Sequence, residues 1–105
     1  MRSAATIIAF AMILSPAKAA DSMVTAMNLG SVIASEQPCG LTFDQAAIER
    51  YIEKNVKADD IGFPSSLHLM TEGQGAQIGD MSPTSLRAHC TQIRRIAKSY
   101  KFIAD

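Results

Sequence analysis

The chain lacks several features that would point directly to a function. It has no tryptophan, only two cysteines and 6% aromatic residues among its 105 residues. It also has no net charge, because ten Lys and Arg residues balance ten Asp and Glu residues. Binding to nucleic acids depends on an excess of positive charge that attracts phosphates. The composition therefore argues against a nucleic-acid-binding protein, and the length allows at most one small domain.

The first twenty residues have the pattern of a secretory signal peptide. Arg2 precedes an unbroken apolar run at residues 7–14, and residues 17–19 have the A-x-A spacing at which signal peptides are cut. A membrane anchor is the alternative, but eight or nine apolar residues cover only about 13 Å of helix. The hydrocarbon core of a membrane is about 30 Å thick.

We therefore predict a signal peptide at residues 1–19, cleaved after Ala19 or Ala20. Residues 20–105 are expected to form a single helical domain that is periplasmic or secreted. No stable membrane anchor is expected after cleavage.

Both cysteines, Cys39 and Cys90, lie in the part of the chain that is predicted to be exported. An even number of cysteines in an exported protein predicts a disulfide. Closing a loop of this length stabilises a protein by roughly 4 kcal/mol in the loop-closure treatment. A redox-active or metal-binding pair is the alternative, and it has little support because the chain has no C-x-x-C motif. No histidine lies at ligand spacing from Cys39.

Hydrophobic periodicity predicts an all-α protein, a small bundle of about four helices stapled by the one disulfide. The first helix of the mature chain is expected at residues 23–35, with an interruption at Gly30. The second is expected to begin with a capping box, in which Thr42 is the N-cap residue and Gln45 bonds back to it.

A third, shorter helix is expected after Asp59 and Asp60, with Pro64 near its start. The glycines of residues 73–81 then predict a surface linker, since their spacing is only a weak phosphate-loop signal. The last helix should begin with Ser82 as N-cap and proline in its first turn. Its periodicity places Cys90 on the buried face.

The charges of the chain are unevenly distributed. Acidic residues lie mainly in the middle and basic residues in the last fifth, which predicts ion pairs within the chain or across a homodimer. The last helix also carries a candidate partner-binding basic face, which consists of Arg87, Arg94, Arg95 and Lys98. The alternative is an ordinary solvated face, because cations also stabilise the C-terminal end of a helix. We favour the solvated face over a lipid or nucleic-acid site.

A cysteine before a capped helix, then Ser82-Pro83, Cys90-Thr91-Gln92 and a basic final helix resemble the HdeA family of periplasmic acid-stress chaperones. The resemblance covers roughly residues 39–101, with one more residue between the proline and the second cysteine than the family pattern has. It implies a compact helical fold with two helices bridged by the disulfide. Residues 39–45 and 88–95 are more closely similar to small exported bacterial proteins of unknown function, which implies no mechanism.

No catalytic, metal-binding or cofactor-binding constellation is recognisable. His68 and His89 are the only histidines and form no H-x-x-x-H or H-E-x-x-H pattern, so we interpret them as packing or hydrogen-bonding residues. No serine lies in a G-x-S-x-G motif. We therefore expect no enzyme, no cofactor and no metal.

Two functions remain as hypotheses. The first is an HdeA-like, acid-activated chaperone that binds unfolded clients when its carboxylates are protonated. The second is a constitutive envelope interaction protein, an adaptor or inhibitor, that binds a single protein partner through one helix face.

Overall fold

The structure is a computed structural model that describes the backbone of residues 14–105 and the side chains of residues 22–105. Residues 1–13, which hold most of the predicted signal peptide, lie outside the described residues. The cleavage of that peptide therefore stays a prediction. No helix in the described part of the chain is long and apolar enough to cross a membrane.

Four helices and no strand make up the described residues, so the prediction of an all-α protein with about four helices is confirmed. Helix α1 spans Leu14–Ala34, α2 Gln45–Asn55, α3 Phe63–Gly79 and α4 Pro83–Ser99. One core cluster holds them together, to which every helix contributes buried side chains.

Helix α1 is longer than predicted and passes through Gly30 without a break. It lies beside α3, and a Cβ atom at position 30 would be only 3.0 Å from the Cβ of Met70 and 3.1 Å from the backbone nitrogen of Thr71. The hydroxyl of Ser22 donates to a carboxylate oxygen of Asp60, which lies just before α3. These contacts show that α1 and α3 run in the same general direction. The glycine therefore permits a close helix contact and does not interrupt the helix.

The N-cap of α2 is Asp44, so the predicted capping box with Thr42 as N-cap is wrong. A carboxylate oxygen of Asp44 accepts from the backbone N–H groups of Ala46 at 3.0 Å and Ala47 at 3.4 Å, as an N-cap side chain should. The backbone N–H of Phe43 donates to the carboxylate of Glu36 at 2.7 Å. This bond from the preceding turn fixes the chain two residues before the helix begins.

Helix α3 continues through the glycine-rich segment, so the predicted linker at residues 73–81 is wrong up to Gly79. Pro64 lies in the first turn as predicted. Glycine weakens a helix by about 1 kcal/mol per residue, but tertiary packing commonly overrides this preference. Ile78 is buried near the end of α3. The contact with α1 and this buried side chain account for the helical conformation.

Helix α4 begins as predicted, since Ser82 accepts from the backbone N–H of Ser85 at 3.2 Å and proline occupies the first position. At its C-terminal end Lys101 adopts a left-handed conformation with φ of 66°. The N–H of Phe102 then bonds to the carbonyl of Ala97 at 2.8 Å, which is the pattern of a Schellman motif. The reversal carries Phe102 into the core, where its side chain is fully buried.

The predicted disulfide is confirmed. Cys39 and Cys90 are bonded, with their Cα atoms 5.3 Å apart, and both residues are buried. Cys39 lies in the turn after α1, where its N–H bonds to the carbonyl of Ser35 at 3.0 Å. The bond therefore joins this turn to the middle of α4. Disulfides of this kind are typical of proteins in oxidising compartments.

Candidate binding site beside the disulfide

Every charged side chain of α4 is a cation. The predicted basic face consists of Arg87, Arg94, Arg95 and Lys98, all of which are exposed. At 100° per residue, three of them (positions 87, 94 and 98) fall within about 40° of one another around the helix and form a single stripe. The fourth, Arg95, lies to one side and donates a hydrogen bond to the amide oxygen of Gln92 at 3.0 Å.

The cations of this stripe have no acidic partner among residues 22–105. The carboxylates of this part of the chain that lie within 4.0 Å of a basic side chain are Asp44, which pairs with Arg50 at 4.0 Å, and Glu72, which lies 3.6 Å from His68; neither pair includes a residue of α4. The predicted pairing of the acidic middle with the basic C-terminal region within one chain is therefore wrong for the described residues. The acidic side chains of the middle region that lie on α2 point to solvent, as do the cations of α4. The homodimer alternative stays a prediction.

A shallow groove lies next to this stripe. It has a volume of about 320 Å³ and is open to solvent. The groove separates the turn after α1 from the first half of α4, and the disulfide contributes to its wall. Its lining residues are Pro38, Cys39, Pro83, Leu86, Arg87, Cys90 and Arg94. The groove thus combines apolar side chains with two guanidinium groups that have no acidic partner in the described chain.

Sequence reasoning identified the cations of this site but not its apolar part. Leu86 lies one turn before Cys90 on α4, so the same periodicity assigns it to the core-facing side, and the structure shows it half-buried beside the groove. Pro38 belongs to a different element, and nothing in the spacing of the sequence indicates that it lies opposite α4. The predicted disulfide is the one feature of the sequence that indicates this position, because Pro38 is adjacent to one of the bonded cysteines.

A serine and a histidine are hydrogen-bonded between the end of α1 and α4. Ser35 is completely buried, and its hydroxyl donates to the carbonyl of Ser31 at 2.7 Å. The hydroxyl oxygen also lies 2.7 Å from Nε2 of His89, in a hydrogen bond whose direction depends on the histidine tautomer. The serine side chain has no exposure to solvent. The pair ties the end of α1 to α4, which agrees with a hydrogen-bonding role for His89.

Within residues 22–105 there is no group of three or more His, Cys, Asp or Glu side chains that could hold a metal ion. His68 is exposed on α3, and its Nε2 lies 3.6 Å from the carboxylate of Glu72 one turn later. Such an exposed pair provides two donors, whereas structural metal sites use three or four protein ligands.

A second groove, of about 410 Å³, lies between α2 and the end of α4 around Tyr51 and Tyr100. The two ring centroids are 4.6 Å apart. Burial, followed by the neighbouring Tyr100 hydroxyl, raises the pKa of Tyr51 to about 12, so its phenol is neutral at physiological pH. Arg50, Lys54 and Lys101 line this groove, and Arg50 contacts Asp44. The groove beside the disulfide is favoured as the candidate site because its two cations belong to one continuous stripe on α4.

No family model, no curated protein and no solved structure matches this chain. The resemblance to the HdeA family therefore stays a prediction, and the function must be argued from the surface itself.

Proposed function

We propose that the protein is an exported, non-enzymatic binding protein that holds an acidic protein partner through the outer face of α4. The observation that carries this proposal is the stripe of Arg87, Arg94 and Lys98, which is exposed and has no acidic partner among residues 22–105. Surfaces with complementary charge steer partners together and fix their orientation. An acidic surface on the partner would supply the charge that the described chain does not.

A binding role without catalysis is supported by the chemistry of the polar side chains. The serine that meets the histidine is completely buried, so its hydroxyl is not exposed to a substrate as a nucleophile would be. The groove beside the disulfide is shallow, whereas active sites generally enclose their substrate and exclude water.

Export to the periplasm or the medium is supported by the disulfide together with the signal-peptide pattern. The intact mass of protein recovered from the exported fraction tests this part of the proposal. We expect a chain that begins at residue 20 or 21 and is two hydrogens lighter than the dithiol form. Retention of Met1 or two free thiols would contradict export and oxidation.

The binding face is tested by charge reversal with a matched control. Arg87→Glu with Arg94→Glu changes the proposed face, whereas Lys54→Glu with Lys57→Glu makes the same change in net charge on exposed residues elsewhere. Each variant and the wild-type protein are coupled to a resin and exposed to the exported fraction of the source cells. We expect an acidic protein that the wild type and the control retain and the α4 variant loses.

Circular dichroism and a thiol assay should show that all three proteins are folded and oxidised. If the α4 variant retains the same proteins as the wild type, the outer face of α4 is not the binding face.

An acid-activated chaperone is the second candidate, because three junctions of the fold depend on carboxylates. Glu36 accepts from the N–H of Phe43, Asp44 caps α2, and Asp60 accepts from the hydroxyl of Ser22. Hydrogen bonds to an ionised carboxylate are stronger than those to a neutral group, so these three junctions would be weaker without the charges. The disulfide would keep the turn after α1 and α4 together while other contacts loosen.

The same protein already exposes apolar side chains that could contact clients. Met23 and Met27 of α1 and Leu69 of α3 are each more than two-fifths exposed. Methionine side chains adapt readily to different apolar partners.

The chaperone candidate is tested by dye binding and by light scattering of an acid-sensitive client between pH 7 and about pH 2, where carboxylic acids in general are protonated. We expect both dye binding and protection of the client to rise with acid. A Glu36→Gln, Asp60→Asn variant lacks these two charges at every pH. It should therefore bind more dye at neutral pH than the wild type does. If neither signal rises while the protein stays helical, this candidate is lost and the binding protein remains.

A further inference from the structure

The groove beside the disulfide has a shape and charge pattern that restrict what it can bind. Its walls come from two elements, with Pro38 on one side and Leu86 on the other, and two cations border it along α4. A volume of about 320 Å³ corresponds to the lower end of the range for ligand pockets. It is too small for an entire helix, whose diameter is about 10 Å or more with side chains, but it admits a few side chains of an extended segment.

The spacing of the two arginines sets the spacing of the acidic groups that they could hold. Arg87 and Arg94 are seven residues apart, which is about 10.5 Å along the helix at 1.5 Å per residue. A single carboxylate or phosphate would contact both guanidinium groups only if the two side chains converged on it. Two acidic groups about 9–11 Å apart match the spacing of the two helix positions directly.

An extended segment in the polyproline II conformation provides this spacing. It has three residues per turn and rises about 3.1 Å per residue, so the side chains of residues i and i+3 lie on the same edge about 9 Å apart. A β-strand does not provide it, because residues three apart in a strand point to opposite faces. The two residues between the acidic ones then face the apolar part of the groove.

We propose that this groove binds an extended acidic segment of the partner protein, in which two acidic residues three positions apart pair with Arg87 and Arg94. An apolar residue between them contacts Leu86 and Pro38. This inference rests on the proposed function, because it uses the same cationic face. It adds the conformation of the partner segment and the spacing of its charges.

Three short peptides with the same composition and the same charge test the spacing. The first contains the sequence Glu-Leu-Pro-Glu between glycines, the second has the two glutamates adjacent, and the third has them seven residues apart. Binding is measured by fluorescence anisotropy at low ionic strength, where exposed charges are least screened. We expect the first peptide to bind about three- to tenfold more tightly than the other two.

Variants separate the charge of the site from its apolar part. Arg87→Gln and Arg94→Gln should each weaken the first peptide about three- to tenfold, whereas Lys57→Gln, which removes an exposed cation outside α4, should leave it unchanged within about twofold. Leu86→Ala should weaken the first peptide but not the peptide with adjacent glutamates. Circular dichroism shows whether the Leu86 variant is folded.

The outcomes distinguish this inference from the proposed function. If all three peptides bind equally and both arginine variants lose this binding, the proposed charge spacing and the role of the groove are wrong, but α4 still has a cationic binding face. If no peptide binds but the Arg87→Glu, Arg94→Glu variant still loses an acidic partner, the proposed binding of an extended segment is wrong as well. The proposed function would then remain. Binding to vesicles that contain anionic lipid in preference to the first peptide would overturn the inference in favour of a membrane surface.

Discussion

At Gly30, where α1 contacts α3, a substitution by alanine should have two opposing effects on the free energy of unfolding, and both come from the added Cβ atom. Replacing Gly30 by alanine adds one Cβ atom in the interior of a helix. Alanine favours the helix over glycine by about 1 kcal/mol. The new atom, however, would lie 3.0 Å from the Cβ of Met70, 3.1 Å from the nitrogen of Thr71 and 3.2 Å from the carbonyl carbon of Met70.

The second effect should outweigh the first because two of these three neighbours are backbone atoms. They cannot move without shifting α3, and forcing extra volume into a packed contact typically destabilises by about 1–3 kcal/mol. We therefore expect Gly30→Ala to lower the free energy of unfolding, by up to about 2 kcal/mol after the gain in helix propensity is subtracted.

Gly73 provides the matched control. It also lies inside a helix, α3, but a Cβ atom there would meet nothing within 4 Å. Gly73→Ala should therefore stabilise the protein by about 1 kcal/mol and raise the Tm by about 4–8 °C. Both variants are compared with the wild type by urea unfolding monitored by circular dichroism. If the Gly30 variant is stabilised as much as the Gly73 variant, the close contact between α1 and α3 does not exist.

Three further predictions concern other parts of the fold. Replacing both Cys39 and Cys90 by alanine removes a crosslink between residues 51 positions apart and should lower the free energy of unfolding by about 4 kcal/mol; an unchanged urea midpoint would contradict this. Lys101→Gly should raise the free energy of unfolding by about 0.5–1 kcal/mol, and with it the urea midpoint, because glycine adopts a φ of 66° without strain. A lower midpoint would count against the left-handed conformation at the end of α4. Because the folded state raises the pKa of Tyr51 to about 12, the stability from its neutral phenol should be complete below about pH 10 and disappear as the pH rises through 12. Tyr51→Phe should flatten this alkaline loss in urea midpoints measured from pH 9 to pH 12, and an identical loss in the variant would refute the assignment.

The parts of the fold that sequence reasoning predicted correctly depend on local interactions. Ser82 and the following proline mark the start of α4 because an N-cap hydroxyl and a proline in the first turn act within one helical turn. The buried stripe of α4 follows from the same periodicity, and Cys90, Ile93 and Ala97 are all buried. The disulfide required only an even cysteine count and an oxidising compartment.

The errors arose where tertiary contacts decide between local alternatives. Thr42 and Asp44 are both good N-cap residues, and Asp44 is the cap where the carboxylate of Glu36 fixes the backbone of Phe43. The glycines of α3 indicate a linker by local preference, but the packing of α3 on α1 keeps the segment helical. Phe102 gave no helical signal at all. It enters the core through a chain reversal at a lysine, where glycine is the usual residue.

The candidate site divides in the same way. The spacing of the cations on α4 is a property of one helix, so their common face was predictable from sequence. The groove was not, because it needs the turn after α1 to lie against α4. That arrangement depends on the disulfide and on the hydrogen bond between Ser35 and His89, two contacts between residues more than fifty positions apart.

The same disulfide therefore has two roles that a single substitution cannot separate. It stabilises the fold, and it contributes to the wall of the groove between Pro38 and Arg94. A cysteine variant that binds no partner would be uninformative about the groove, since loss of the fold and loss of the wall have the same result. Leu86 is the more informative position, because it lines the groove and is half-buried, so its truncation should remove contact area with a smaller effect on the core. A Leu86→Ala variant that stays folded by circular dichroism but loses binding thus assigns the loss to the groove and not to the fold.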